Sequence, residues 1–140
     1  MDLFEETHRE FIRLLNRFEA EYMLIGGHSV NLHGYPRATG DLDIWVNGTE
    51  ENGLKVIKAI EEFGFAVEGL KGKDFEEILM FTLGSKDEPN YIEITNKIAG
   101  ITFQESYKNH LSMSIEDFHF KMINFEDLIK NKRASARHRP

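Results

Sequence analysis

Hydrophobic and polar positions recur along this chain with two different periods, and each change of period marks a predicted element. Residues 2–19 repeat apolar side chains every three or four positions, which predicts a helix with Phe4, Phe11, Leu15 and Phe18 on one stripe. "YMLIGG" is a short apolar run that ends in two glycines and predicts a buried strand. "HSVNLHG" then predicts about two turns of helix, and the alternating "DLDIWV" predicts a second strand.

The rest of the chain continues this mixture of helices and strands. Thr49 is the predicted N-cap of a helix that ends at Gly64, and Asn124 is the predicted cap of the last helix, "NFEDLIKNKR". Between them, "FAVEGL", "ILMFTLG" and "YIEIT" have strand-like patterns, "FQESYKN" predicts a brief helix, and "LSMSIE" and "FHFKMI" predict two edge strands. Interleaved elements predict the α/β or α+β class: one domain over residues 1–140, with a small mixed sheet packed by helices on one side.

Composition favours a folded, soluble domain in the cytoplasm. The 140 residues are 41% hydrophobic and 29% charged, which is enough apolar material for a single core. The absence of cysteine excludes disulfides and thiolate metal sites and is consistent with a reducing compartment. The N-terminal "MDLFEETHRE" is acidic, unlike a signal peptide, and no apolar run approaches the roughly 18 residues that span a membrane.

Charge is distributed unevenly along the chain. A formal net charge of −7 argues against a general nucleic-acid coat, which needs a basic surface. The C-terminal "KNKRASARHRP" contains basic residues and no acid. This segment is either one wall of a phosphate site or a tail that avoids an acidic surface. Its basic residues are Lys130, Lys132, Arg133, Arg137 and Arg139.

Two aspartates separated by one leucine are the first candidates for chemistry. In a strand, Asp41 and Asp43 lie on the same face, roughly 7 Å apart along the strand, while Leu42 and Ile44 face the core. Carboxylates this close repel each other unless a cation lies between them or water screens them. Mg²⁺ takes such oxygen ligands together with substrate phosphates. The alternative is an ordinary exposed strand face with two acids.

The glycine pair before the short helix is the second candidate. Gly26 and Gly27 allow a ligand to approach the backbone closely, and the helix start beyond them offers free N–H groups beside the Ser29 hydroxyl. The pattern is neither a Walker loop nor a dinucleotide-binding fingerprint, and taken alone such a glycine pair is more often only a tight turn. Glu93, between two isoleucines of "YIEIT", adds a third carboxylate. Glycines and acids together predict a site for a nucleoside triphosphate and its metal.

The stretch "GGHSVNLHGYPRATGDLDIWV" resembles the nucleotidyltransferase superfamily of the DNA polymerase β type. The likeness is greatest to small nucleotidyltransferase-like proteins related to toxin–antitoxin and abortive-infection systems, and it extends from about Glu21 to Arg137. It implies the nucleotidyltransferase fold, a Mg²⁺ or Mn²⁺ cofactor and a nucleoside triphosphate substrate. It also implies transfer of the NMP group to a hydroxyl of an RNA, a protein or a small molecule.

The resemblance also implies a role for each candidate residue. Asp41, Asp43 and Glu93 are expected to act in catalysis and to hold the metal, with Glu93 helping to deprotonate the attacking hydroxyl. The expected contacts to the nucleotide form a separate set of residues. They are Gly26, Gly27 and Ser29 at the phosphates, Arg37 and Thr39 beside the triphosphate, and Lys132 neutralising its charge.

The chain departs from the family pattern at three points. Glu93 is one methylene longer than the usual aspartate, Gly27 stands where serine is frequent, and the chain stops at "RHRP" where relatives run on into another helix. This ending is what a shortened or minimal variant would have. Two other functions therefore stay open: a catalytically weak binding protein that grips a toxin–antitoxin partner, and a metal-dependent phosphohydrolase that uses the same acids on water.

The aromatic and histidine residues near the motif have less specific interpretations. His28 and His33 are five apart, so one helix places them on different faces, which argues against a zinc pair. His28 is predicted to lie on the helix surface. Trp45 is predicted to pack in the core or at its rim, although Trp45 and Tyr35 could also stack on a base.

Overall fold

The computed structural model describes residues 4–34, 40–85, 87–88 and 90–137, without the side chains of Asn31 and Arg137. Five helices, six strands and one short 3₁₀ helix follow one another along these residues. The helices are α1 (Glu6–Arg17), α2 (Gly26–Leu32), α3 (Glu50–Phe63), the 3₁₀ helix (Gly72–Glu76), α4 (Phe103–Tyr107) and α5 (Phe125–Arg137). The strands are β1 (Tyr22–Ile25), β2 (Leu42–Val46), β3 (Met80–Leu83), β4 (Ile92–Thr95), β5 (Leu111–Ile115) and β6 (Phe118–Met122).

The six strands form one mixed sheet in the order β3-β4-β2-β1-β6-β5. β1 pairs with β2 antiparallel, and β2 pairs with β4 parallel. The outer pairs β3–β4 and β5–β6 are antiparallel, and β1 meets β6 in parallel. This is the predicted α+β class with a small mixed sheet. The prediction that β5 and β6 are both edge strands was wrong for β6. This strand lies between β1 and β5, because β1 pairs with the side of β6 that β5 leaves free.

Helices cover both faces of the sheet, and not one side as the sequence pattern predicts. The larger core lies under α1 and α3 and includes Phe11 and Leu15 with alternate strand residues such as Leu24 and Ile44. The strand residues in between face the opposite way. They form a smaller cluster with α4 and α5, made of Met23, Ile25, Trp45, Phe103, Ile123 and Leu128. The candidate acids share this second face.

The predicted caps are confirmed. The Asn52 N–H donates to the Thr49 hydroxyl at 3.1 Å, and Gly64 ends α3 with a φ of 107° in the left-handed region that glycine favours. Asn124 accepts from the Asp127 N–H at 2.9 Å at the start of α5.

The predicted strand "FAVEGL" is wrong. Residues 65–70 form turns and irregular backbone instead of a strand. Gly64 and Gly69 both have positive φ, so the backbone cannot stay extended through this stretch. Phe65 turns back and stacks on Phe63 with ring centroids 5.7 Å apart. The third strand of the sheet begins later, at Met80.

No helix in the described part of the chain is long and apolar enough to cross a membrane.

Candidate active site

The three candidate carboxylates lie where β1 ends and where β2 and β4 begin. In the sheet register Asp43 pairs with Ile25 on one side and with Glu93 on the other. Paired residues of neighbouring strands lie about 5 Å apart and project from the same face. Asp41 is one residue outside β2, which begins at Leu42 and not at Asp41 as predicted. The parallel pairing of β2 with β4 therefore places Glu93 beside the Asp-Leu-Asp motif.

Asp43 is the electrostatic centre of this group. Burial, the charges of Asp41 and Glu93, and a hydrogen bond with Asp41 raise the pKa of Asp43 from its ordinary 3.8 to about 7. The positive charge of Lys132 opposes this rise. A carboxyl that holds its proton near neutrality for these reasons lies in a site with an excess of negative charge. Such a site favours a cation.

Gly26 closes over the Asp43 carboxylate. Its φ is +73°, and a Cβ added at Gly26 would overlap the Asp43 carboxyl group. The position therefore needs glycine both for its backbone conformation and for the close approach of the turn to the acid. Gly27 follows in the first turn of α2, which begins at Gly26 and not at His28 as predicted. The glycine turn and the aspartates belong to one site.

Ser29 supports this turn from inside. Its side chain is fully buried, and its hydroxyl donates to the carbonyl of Gly26 at 2.8 Å. In this conformation the hydroxyl holds the turn in place and does not face the acids. The expected direct contact of Ser29 with a phosphate would require a different rotamer.

Lys132 reaches the site from α5. The Asn131 side chain donates to the carbonyl of Ala99 at 3.0 Å, and Gly100, with φ +90°, lies so close to α5 that an added Cβ would be 2.8 Å from the Ala134 Cβ. These contacts dock α5 against the loop that follows β4. Lys132 is exposed and close enough to Asp43 to lower its pKa. A basic residue of the C-terminal segment thus faces the acid group.

Two predicted nucleotide contacts cannot be placed. Arg37 and Thr39 lie outside the described residues, as does Tyr35. Their expected positions beside the triphosphate stay predictions.

Tyr91 was missed by the sequence reasoning. The negative charge of Asp41, followed by burial and the charges of Glu93 and Asp43, raises the pKa of the Tyr91 phenol. Tyr91 also lines an open cleft of about 270 Å³ together with Phe63, Phe65 and other residues. The signal was present in "YIEIT", because Tyr91 is two residues before Glu93 and shares its face of an extended strand.

The structure decides the interpretations of two aromatic residues near the motif. Trp45 is buried and meets the Phe103 ring edge to face at 5.3 Å, which confirms core packing. His28 is only 5% exposed and stacks on Phe4 at 5.3 Å, so its predicted place on the helix surface is wrong. Since α2 is short and lies under the start of the chain, its first turn has little exposed surface.

The donor set fits a hard divalent cation bound together with a substrate. Within the described residues, no three histidine, cysteine or acidic side chains are already arranged as a set of metal ligands. The repulsion that raises the pKa of Asp43 is nevertheless what a cation between Asp41 and Asp43 would relieve. Mg²⁺ is typically held by one or two carboxylates and the phosphates of its substrate, so two aspartates suffice on the protein side.

Stabilisation by Mg²⁺ is expected to increase with pH across neutrality. The cation binds ionised carboxylates, and Asp43 keeps its proton up to about pH 7, so at pH 6 the metal must displace that proton. Melting curves with and without Mg²⁺ at pH 6 and pH 8 measure the effect. The rise in melting temperature should be larger at pH 8; equal rises would contradict a site built around Asp43.

Comparison with known proteins gives a structural likeness without a sequence match. No family model matches the chain, and no curated protein matches it. Among solved structures it is similar to one described as "a putative nucleotidyltransferase (TM1012) from Thermotoga maritima". The TM-score is 0.67 at 15% sequence identity, and the match covers 94% of this chain and 84% of the other. The six-stranded mixed sheet with its helices is therefore a nucleotidyltransferase-like fold.

Proposed function

We propose that the protein is a Mg²⁺-dependent nucleotidyltransferase. The observation that supports this most is the position of Asp43, between Asp41 and Glu93, beneath the Gly26 turn and within the field of Lys132. Carboxylates that could bind a metal lie near Lys132, whose positive charge could bind phosphate. The fold is similar to that of the Thermotoga maritima protein. A triphosphate with its magnesium carries both kinds of charge and would meet both halves of the site.

Each residue then has a distinct task. Asp41 and Asp43 hold Mg²⁺, which when bound neutralises charge on the triphosphate. Gly26 and Gly27 let the phosphates approach the backbone of the turn, with Ser29 holding that turn rigid. Lys132, which lies within the electrostatic reach of Asp43, attracts the phosphates. Arg37 and Thr39, in the segment between α2 and β2, stay proposed contacts to the triphosphate.

The proposed reaction moves an NMP group to a hydroxyl. The oxygen of the acceptor hydroxyl forms a bond to the α-phosphorus, the bond from that phosphorus to the oxygen bridging to the β-phosphate breaks, and pyrophosphate leaves. Glu93 takes the proton of the hydroxyl. The acceptor is an RNA end, a protein side chain or a small molecule.

The experiment compares two positions of a radioactive label. The protein is incubated with Mg²⁺ and each nucleoside triphosphate, labelled either at the α- or at the γ-phosphate, with cellular RNA and protein as acceptors. Transfer of the α-label alone, lost in Asp41→Ala and kept in Asp117→Asn, supports the proposal; Asp117 is an exposed acid in the β5–β6 turn and serves as control. Release of free γ-phosphate would indicate a phosphohydrolase instead.

A second candidate is a catalytically weak binding protein of the toxin–antitoxin type. The observation in its favour is the exposed apolar surface next to the edge strand β3, where Ile78 is 79% and Met80 is 63% exposed. Such side chains on an edge strand are typical of surfaces that bind other proteins. Absence of any label transfer, with partner binding that is weakened by Met80→Asp and unchanged by Asp41→Ala, would favour this function.

A further inference from the structure

Two buried histidines lie directly behind the acid group, and the proposed reaction gives neither a role. His8 of α1 is 1% exposed and His28 of α2 is 5% exposed. Their rings meet edge to face with centroids 5.6 Å apart, and Phe4 stacks on the outer face of His28. Buried imidazoles need a reason, because an unpaired polar ring atom in a core is destabilising.

Each histidine lies against the backbone at the start of one acid-bearing strand. The His8 Nε2 lies 2.8 Å from the carbonyl oxygen of Asn90, and the His28 ring lies beside the backbone of Asp41, which favours the protonated form of the ring. The Nδ1 atom of each ring is buried without a hydrogen-bond partner in the described part of the chain. Because a carbonyl only accepts, Nε2 of His8 must be the protonated nitrogen that donates to Asn90.

The two anchored segments also contact each other. The Leu42 N–H donates to the carbonyl of Tyr91 at 2.9 Å, and Gly40 lies against the Asn90 backbone, where an added Cβ would be 3.7 Å from the nitrogen. Asn90 has a φ of +66°, in the left-handed region that asparagine adopts more readily than most residues. The bond from His8 holds this turn of the backbone three residues before Glu93.

We infer that His8 and His28 are positioning residues, which together set the spacing between the Asp41–Asp43 pair and Glu93. His28 fixes the entry of β2, His8 fixes the entry of β4, and contact between the two rings holds the entries in one relative position. Burial and the neighbouring His8 lower the pKa of His28, as expected for an imidazole packed in the core.

His8→Phe and His8→Gln separate the hydrogen bond from the packing. Phenylalanine keeps a ring and loses the donor, whereas the glutamine amide reaches the position of Nε2 and can still donate to Asn90. His33→Phe is the matched control, because the His33 Nε2 lies 3.0 Å from the Ile123 carbonyl, an equivalent bond away from the acid strands. If His8→Phe does not fold, His28→Phe and His28→Gln make the same comparison at residues 40–43.

Hydrogen exchange of the metal-free protein tests the inference without reference to any activity. We expect about tenfold faster exchange at residues 40–43 and 90–93 in His8→Phe, near-normal exchange there in His8→Gln, and no change there in His33→Phe. Unchanged exchange in both segments of His8→Phe, or equal effects of the phenylalanine and glutamine variants, would overturn it.

A second experiment tests the effect of the histidines on metal binding, and it rests on the proposed function. It measures Mn²⁺ binding through the paramagnetic resonance signal of the ion. Loss of a residue that orients metal ligands typically weakens metal binding by about 10- to 100-fold, so His8→Phe should bind Mn²⁺ at least about tenfold more weakly, with recovery in His8→Gln. If the unsubstituted protein binds no Mn²⁺, the proposed function fails, while the exchange result still decides the role of the histidines.

Discussion

Asp43→Asn is expected to abolish nucleotidyl transfer and, at the same time, to make the metal-free protein more stable at pH 8. Asparagine keeps the shape of the side chain and removes the negative charge that a metal needs. Loss of one such electrostatic contact in an active site typically lowers the rate by about 100-fold or more. The gain in stability follows from the pKa of Asp43, which is about 7 in the folded protein and 3.8 for an aspartate without interacting neighbours.

The sign and the pH window follow from proton binding. Between about pH 4 and pH 7 the folded protein holds a proton on Asp43 that the unfolded chain has lost, so the free energy of unfolding falls as pH rises through this window. Each pKa unit corresponds to about 1.4 kcal/mol, and solvent screening of a partly exposed carboxyl reduces the total to about 1 to 2 kcal/mol. The Asp43→Asn variant has no carboxyl at this position, so its free energy of unfolding does not fall for this reason as pH rises.

Urea unfolding at pH 4 and pH 8, without metal, measures this difference. The variant and the unsubstituted protein should have nearly equal stability at pH 4, and the variant should be more stable at pH 8. Asp117→Asn removes a charge from an exposed turn and should change neither value. A less stable Asp43→Asn at pH 8 would mean that the carboxylate is stabilised by its surroundings, and the site would then lack the negative excess on which the proposal depends.

The sequence predicted the local parts of this site because local patterns determine them. Alternation in "DLDIWV" predicted that the side chains of Asp43 and Ile44 project from opposite faces of the sheet. The two glycines correctly marked the end of β1. Caps at Thr49 and Asn124 depend only on neighbouring residues and were also predictable.

The parts that could not be predicted depend on contacts between distant segments. Nothing in "YIEIT" shows that its partner strand is β2 or that Glu93 pairs with Asp43, since strand pairing is a property of the whole sheet. The burial of His28 depends on Phe4, which precedes α1 and is distant from His28 in the sequence. "FAVEGL" has the hydrophobic pattern of a strand and forms none, because Gly64 before it and Gly69 within it turn the backbone out of the extended conformation.

Gly26→Ala is expected to damage both the fold and the site. A residue with a side chain is strained at a φ of +73° by about 1 to 2 kcal/mol, and the new Cβ would overlap the Asp43 carboxyl group. Relief requires either the turn or the acid to move, which adds about 1 to 3 kcal/mol. Because the turn and Asp43 define the proposed site, Mg²⁺ and nucleotide binding should be lost as well.

Gly34→Ala isolates the cost of the backbone conformation. Gly34 has a φ of +94° with nothing within 4 Å of an added Cβ, so alanine there is strained but does not collide. The free energy of unfolding should therefore fall further in Gly26→Ala than in Gly34→Ala. The double variant Gly26→Ala with Asp43→Ala should recover part of the difference, because the colliding carboxyl is gone. Equal losses at Gly26 and Gly34, with no coupling to Asp43, would show that the turn does not close over the aspartate, and the phosphate-binding and metal-binding halves of the proposed site would then be separate.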